Sequence, residues 1–140
     1  MAKALTVGDA MTRNPLSLSP EDTLAVAMQT FRKHAIRRVP VVAGDRLVGL
    51  LAQGDLNRAQ PSVLDSTPED FQRVMEGTPV SRIMISNPVT VRETTPLLEA
   101  VETLHTTKYG ALPVVNGDKV VGILTDSDLI RTLRDLLKAE

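Results

Sequence analysis

The chain has 140 residues, a formal charge of −1 from interspersed acids and bases, 42% hydrophobic residues and no cysteine. The near-neutral balance removes the long-range attraction that nucleic acid or an anionic membrane would need, and without thiols there is no disulfide, thiolate metal site or cysteine nucleophile. No run approaches the 18 or so apolar residues that span a bilayer, and the N-terminus lacks the apolar core of a secretion signal, so a soluble cytoplasmic protein is expected.

A chain of this length can bury about two-thirds of its unfolded surface, whereas half of it would be marginal alone. One core shared by two halves is therefore expected. Phe31, Phe71 and Tyr109 are the aromatic residues, so that core must be aliphatic. Residues 5–12 form an apolar lead-in that ends at Asn14-Pro15, where the proline disfavours helix and an extended segment begins. Leu16-Ser17-Leu18 then alternates with the period of a short strand. Residues 22–35 read as a helix, with Leu24, Ala27, Met28, Phe31 and Ala35 on one face and Ser19-Pro20-Glu21-Asp22 supplying its start. Residues 39–42 and 47–51 are apolar strands buried on both faces and joined by a Gly44-Asp45 hairpin turn. The polar tetrad Ala52-Gln53-Gly54-Asp55 starts a second helix, and Thr67-Pro68-Glu69-Asp70 starts another in the connector that follows, with Phe71, Val74 and Met75 at helical spacing.

Seventy-three residues downstream the pattern returns without a gap: of the 45 positions from 14 to 58, 16 are identical to those from 87 to 131. Such a match is an internal duplication. The repeated set includes Asn14/Asn87, Pro40/Pro113, Gly44/Gly117, Gly49/Gly122 and Asp55/Asp128. Each copy reads strand, helix, strand, strand, helix, and the last helix of the second copy carries the apolar stripe Leu129, Ile130, Leu133, Leu136 and Leu137.

The doubled Asn-Pro, helix, Pro-Val-Val, Gly-Asp, Val-Gly and polar tetrad ending in Asp-Leu resembles a tandem pair of cystathionine-β-synthase (CBS) domains. The stretches around Ile36, Ala59 and Tyr109 are most similar to stand-alone pairs of the acetoin-utilisation type. The resemblance implies an α+β fold of two β-α-β-β-α repeats packed with pseudo-two-fold symmetry. It divides the chain into repeat 1 over 7–59, a connector with a short helix over 60–78, and repeat 2 over 79–138. It also implies a non-enzymatic regulatory unit, a homodimer pairing through helices, and clefts that take AMP, ADP, ATP or S-adenosylmethionine as regulatory ligand with no required cofactor. Fold alone does not prove that function; the alternative is a ligand-free unit that dimerises and docks a protein partner.

Thr125-Asp126-Ser127-Asp128 lies between a buried strand and a helix, where backbone N–H groups and the helix dipole favour a phosphate. The Asp128 carboxylate suits the two hydroxyls of a ribose, and Thr125 adds a donor; both match the family's Thr/Ser-x-x-Asp motif. The same spacing is a capping box, and the residues leave both readings open. In the first copy Asp55 is kept while Ala52 replaces the threonine, which ranks that site second. Arg37 and Arg38 stand where the family places phosphate-binding residues, and an arginine fork suits phosphate; a solvated cluster at a helix end is the other reading. Gly110 and Ala111 take their places in the second copy. The family's clefts are composite, so Ser17, Ile36 and Arg37 are expected beside Thr125 and Asp128, and Thr90, Tyr109 and Gly110 beside Asp55. His34 and His105 lack companion ligands for a metal, and no base stands by Thr125 to make it a nucleophile.

Overall fold

A computed structural model describes residues 4–62 and 64–140; residue 63, within the expected connector, lies outside it. In chain order the elements are α1 (Val7–Ala10), β1 (Thr12–Arg13), α2 (Leu24–His34), β2 (Arg38–Ala43), β3 (Arg46–Ala52), α3 (Gln53–Ala59), α4 (Pro68–Gly77), a 3₁₀ turn (Val80–Arg82), β4 (Ile85–Ser86), α5 (Leu97–Thr107), β5 (Ala111–Asn116), β6 (Lys119–Thr125) and α6 (Asp126–Lys138). They form an α+β protein of two similar repeats. Two compact units result, and each contains a lead-in from the other end of the repeat pattern. Residues 16–87 make one, and residues 1–15 with 88–140 make the other.

In the first unit β2 and β3 form an antiparallel hairpin, and β4 adds to β3 with Gly49 opposite Ser86 and Leu50 opposite Ile85. Gly44 opens the two-residue hairpin loop at φ 64°, a left-handed backbone that glycine adopts without a Cβ penalty. Val39 and Val41 are fully buried, as is Pro40 between them, so both faces of β2 are covered, as its unbroken apolar run requires. Leu18, Leu24, Ala27, Phe31, Val39, Val41, Leu51, Leu56, Met75 and Val80 make one core cluster.

The second unit repeats this plan. β5 and β6 pair, β1 adds to β6 with Thr12 opposite Ile123 and Arg13 opposite Gly122, and Val7, Leu97, Ala100, Leu104, Leu112, Val114 and Leu124 belong to its cluster. Each unit thus has a hydrophobic cluster of its own, with Phe31 in the first, where length alone pointed to one shared core. The lead-ins explain the difference. Val7 N–H donates to Thr95 O and Leu97 N–H to Leu5 O, as Val80 N–H donates to Asp22 O and Leu24 N–H to Thr78 O, so each lead-in closes the start of a long helix and fills out its core.

Three local expectations are corrected. The segments around Leu18 and Val91 are not strands; each makes a single parallel bridge, to Val41 and Val114. Asn14 and Asn87 sit at φ 49° rather than in extended backbone, because asparagine tolerates the left-handed region and its N–H donates to the carbonyl of Val121 or Val48, the extra residue at each strand's bulge. The cap of α2 is Thr23, whose hydroxyl accepts from Val26 N–H, while Ser19 and Asp22 close the turn before it.

The connector helix α4 starts where its sequence places it. Thr67 Oγ1 accepts from Asp70 N–H at 3.1 Å, and Met75 is buried with Phe71 and Val74 packed on the first cluster. Hydrogen bonding to the Thr67 side chain, then to its backbone, holds the Asp70 carboxyl below its ordinary value of 3.8. A lowered value favours the folded state above the unfolded pKa, and that increment disappears as pH falls through the folded one. Thr67→Ala is expected to cost about 1 kcal/mol in urea unfolding; an unchanged midpoint would show that α4 does not depend on this cap.

Candidate functional site

Each repeat delivers its polar tetrad from the end of a buried strand into a helix. In the second repeat β6 ends at Thr125 and α6 begins at Asp126, so Asp128 occupies the third helical position. From there its carboxylate turns back over the strand end. Oδ2 accepts from Thr125 N–H at 2.8 Å and Thr125 Oγ1 at 3.1 Å, and Oδ1 accepts from Thr12 Oγ1 at 2.8 Å and Arg131 Nη2 at 3.1 Å. The residue is only 2% exposed. A carboxylate offers about four lone-pair positions, and all four are used.

The capping box is therefore formed, and the backbone donors that sequence reasoning left open for a phosphate are engaged. Asp126 N–H donates to Gly110 O at 3.2 Å, Ser127 N–H to Asp126 Oδ1 at 2.9 Å, and Asp128 N–H to Thr125 Oγ1 at 3.4 Å. Helix starts satisfy such groups from nearby side chains and carbonyls when geometry allows. The residues before β5 supply part of that: Ala111 pairs with Thr125 across the hairpin, and Gly110, at φ 74°, aims its carbonyl at α6.

The first repeat builds the same junction with fewer donors. Ala52 N–H donates to Asp55 Oδ2 at 3.2 Å, Arg58 pairs with Oδ1, and Gln53 N–H donates to Arg37 O at 2.8 Å. Ala52 has no hydroxyl, and Ile85 stands where the second repeat has Thr12. The Asp55 side chain is 16% exposed and accepts two hydrogen bonds where Asp128 accepts four. Sequence ranked the Asp55 site lower because a threonine is missing, yet that loss leaves its carboxylate less committed.

Among the other named positions, Arg37 is exposed, Arg38 is half-buried as the first residue of β2 opposite Ala52, and Ile36 packs on the first cluster. Ser17 and Thr90 are exposed beside the buried Leu18 and Val91, and Tyr109 is half-buried. Within its own unit the structure therefore gathers Arg37, Arg38, Ala52 and Asp55 at one strand end, and Gly110, Ala111, Thr125 and Asp128 at the other. Two contributors escaped the sequence reading. Arg131 had a signal, being identical to Arg58 and three residues beyond the aspartate; Thr12 had none, because its counterpart is Ile85. Among the described residues no group of three or more His, Asp or Glu side chains is placed to hold a metal ion, and no helix is long and apolar enough to cross a membrane.

The CBS domain family model matches residues 7–62 and 80–135, most of the chain and both copies of the repeat. The chain belongs to the CBS domain family. A CBS domain-containing protein of Dictyostelium discoideum is 33% identical over 135 residues, covering 94% of this chain and 93% of the relative. Among solved structures, the Vibrio cholerae protein AcuB, named for acetoin utilization, superposes with a TM-score of 0.83 at 32% identity over 99% of this chain and 98% of its own. CBSX2 of Arabidopsis thaliana, crystallised in complex with AMP, has a TM-score of 0.78 and 29% identity over 94% of this chain and 98% of its own. Against two further curated relatives the CBS pair spans 48% and 21% of their length, so the same pair also occurs inside longer proteins.

Proposed function

We propose that this CBS pair is a non-enzymatic regulatory unit whose strand-to-helix junctions bind an adenine nucleotide or another adenosyl ligand. The AMP complex of CBSX2, a relative matching nearly the whole chain, is the observation that carries the reading. The residues agree with it in kind. Asp128 and Asp55 present carboxylates suited to ribose hydroxyls, Thr125 presents a hydroxyl, and the exposed Arg37 beside Arg38 can neutralise phosphate with paired N–H donors. Ser17, Ile36, Thr90, Tyr109, Gly110 and Ala111 remain the further positions assigned to ligand contact. The ligand acts by binding one arrangement of the protein better than another; a cytoplasmic setting completes the proposal.

Calorimetric titration of ligand-stripped protein with AMP and with adenosine tests the phosphate assignment. In Arg37→Ala/Arg38→Ala, AMP affinity is expected to fall about tenfold or more, as for loss of charge-assisted hydrogen bonds, with adenosine changed far less. Equal losses for both would refute phosphate contact by these arginines.

One observation favours a second role for the same protein. On α6, Ile130, Leu133, Leu136 and Leu137 are each half or more exposed, an apolar stripe suited to a homodimer or a docked protein partner. Leu133→Asp is expected to shift a dimer to monomer in analytical ultracentrifugation; unchanged sedimentation of a dimer would remove the stripe from the interface.

A further inference from the structure

The Asp128 carboxylate is filled by the protein's own donors, and these are not equally fixed. Thr125 N–H and Oγ1 are held by the cap of α6, and Arg131 Nη2 also donates to Ala10 O at 2.9 Å. Thr12 differs. It lies on the two-residue β1, its backbone is already paired with Ile123, and its hydroxyl moves by rotation about one side-chain bond. We infer that Thr12 is a built-in competitor for the second repeat's ligand: its hydroxyl occupies the Asp128 position that a ligand hydroxyl must take, and binding releases it. The inference rests on the proposed ribose role of Asp128.

The two repeats make the point by comparison. Asp55, without hydroxyls at positions 52 and 85, keeps acceptor capacity, while Asp128 has none spare. Displacing Thr12 also cuts one of the hydrogen bonds that join the lead-in of α1 and β1 to α6, leaving that of Arg131 to Ala10 O. Ligand occupancy and lead-in attachment are therefore coupled, and coupling is reciprocal: whatever loosens the lead-in raises affinity at Asp128. The second repeat is thereby regulated by a segment distant in sequence yet part of its own compact unit.

Thr12→Val removes the hydroxyl and keeps the branched shape on the strand; Thr12→Ser restores a hydroxyl. Affinities for AMP and for 2′,3′-dideoxy-AMP are measured by calorimetry on folded, ligand-stripped protein, with Asp128→Asn alongside. Thr12→Val is expected to bind AMP about tenfold more tightly, the size of one hydrogen bond to a charged group, with no gain for the dideoxy compound and with Thr12→Ser near wild type. An unchanged or reduced AMP affinity in Thr12→Val, or an equal gain for both ligands, would overturn the inference. In that case AMP binding lost in Asp128→Asn leaves the proposed function standing; failure of both wild type and Thr12→Val to bind AMP or any other adenosyl compound removes both.

Discussion

Asp128→Ala is expected to lower stability by about 3 kcal/mol, roughly ten degrees in thermal midpoint for a chain of this size. The carboxylate is buried and accepts from four donors. Its removal leaves Thr125 N–H unmet at the buried strand end and takes a hydrogen bond each from Thr125 Oγ1, the exposed Thr12 Oγ1 and Arg131, which keeps Ala10 O. Unmet buried donors cost more than the hydrogen bonds contributed net. Asp55→Ala, at the matching position, loses two partners from a more exposed side chain and is expected to cost about 1 kcal/mol. Urea unfolding of both variants checks the difference; equal losses would contradict the assigned network. Ligand binding by Asp128→Ala must therefore be measured on its folded fraction, since the same carboxylate serves cap and proposed ribose contact.

Gly122→Ala and Gly49→Ala are each expected to cost about 2–3 kcal/mol, the range for forcing extra atoms into a packed region. A Cβ on Gly122 would stand 2.9 Å from Met11 Sδ and 2.9 Å from the carbonyl oxygen of Thr12, and one on Gly49 would meet Met84 Sδ and stand 3.0 Å from the carbonyl oxygen of Ile85. A methionine end can swing aside; a backbone oxygen of the paired strand cannot without opening β1 from β6, or β4 from β3. Gly54→Ala is the control, since its Cβ would meet nothing nearer than Arg58 Nη1 at 3.4 Å. Its stability should stay within about 0.5 kcal/mol. A thermal midpoint for Gly122→Ala as high as that of Gly54→Ala would refute the close approach.

These glycines show how far the sequence reaches. Alignment of the copies marks Gly49 and Gly122 as identical, but the reason lies on the lead-ins, more than thirty residues away in one case and more than a hundred in the other. The hairpins were legible because Gly-Asp between apolar runs is local chemistry, and α4 because cap, proline and acids stand together. The bridges at Leu18 and Val91 were not: alternation over three residues cannot say whether a neighbour exists to form a ladder. The fate of the tetrads divides the same way. Thr125-x-x-Asp128 states that a carboxylate will sit at a helix start, while its occupancy depends on Thr12, 116 positions away. Leu133 and its companions were readable as an amphipathic stripe, yet only the fold shows that their own unit leaves them exposed.

The most direct test of the regulatory reading is a thermal-shift series on ligand-stripped, folded protein with AMP, ADP, ATP, S-adenosylmethionine, NAD, a cyclic dinucleotide and adenosine. A ligand at 100 times its dissociation constant adds about 2.7 kcal/mol, which corresponds to roughly several degrees here. The account predicts a selective rise with one or more adenosyl compounds. A flat response across the series would contradict it and leave the exposed face of α6, and the docking role, as the protein's function.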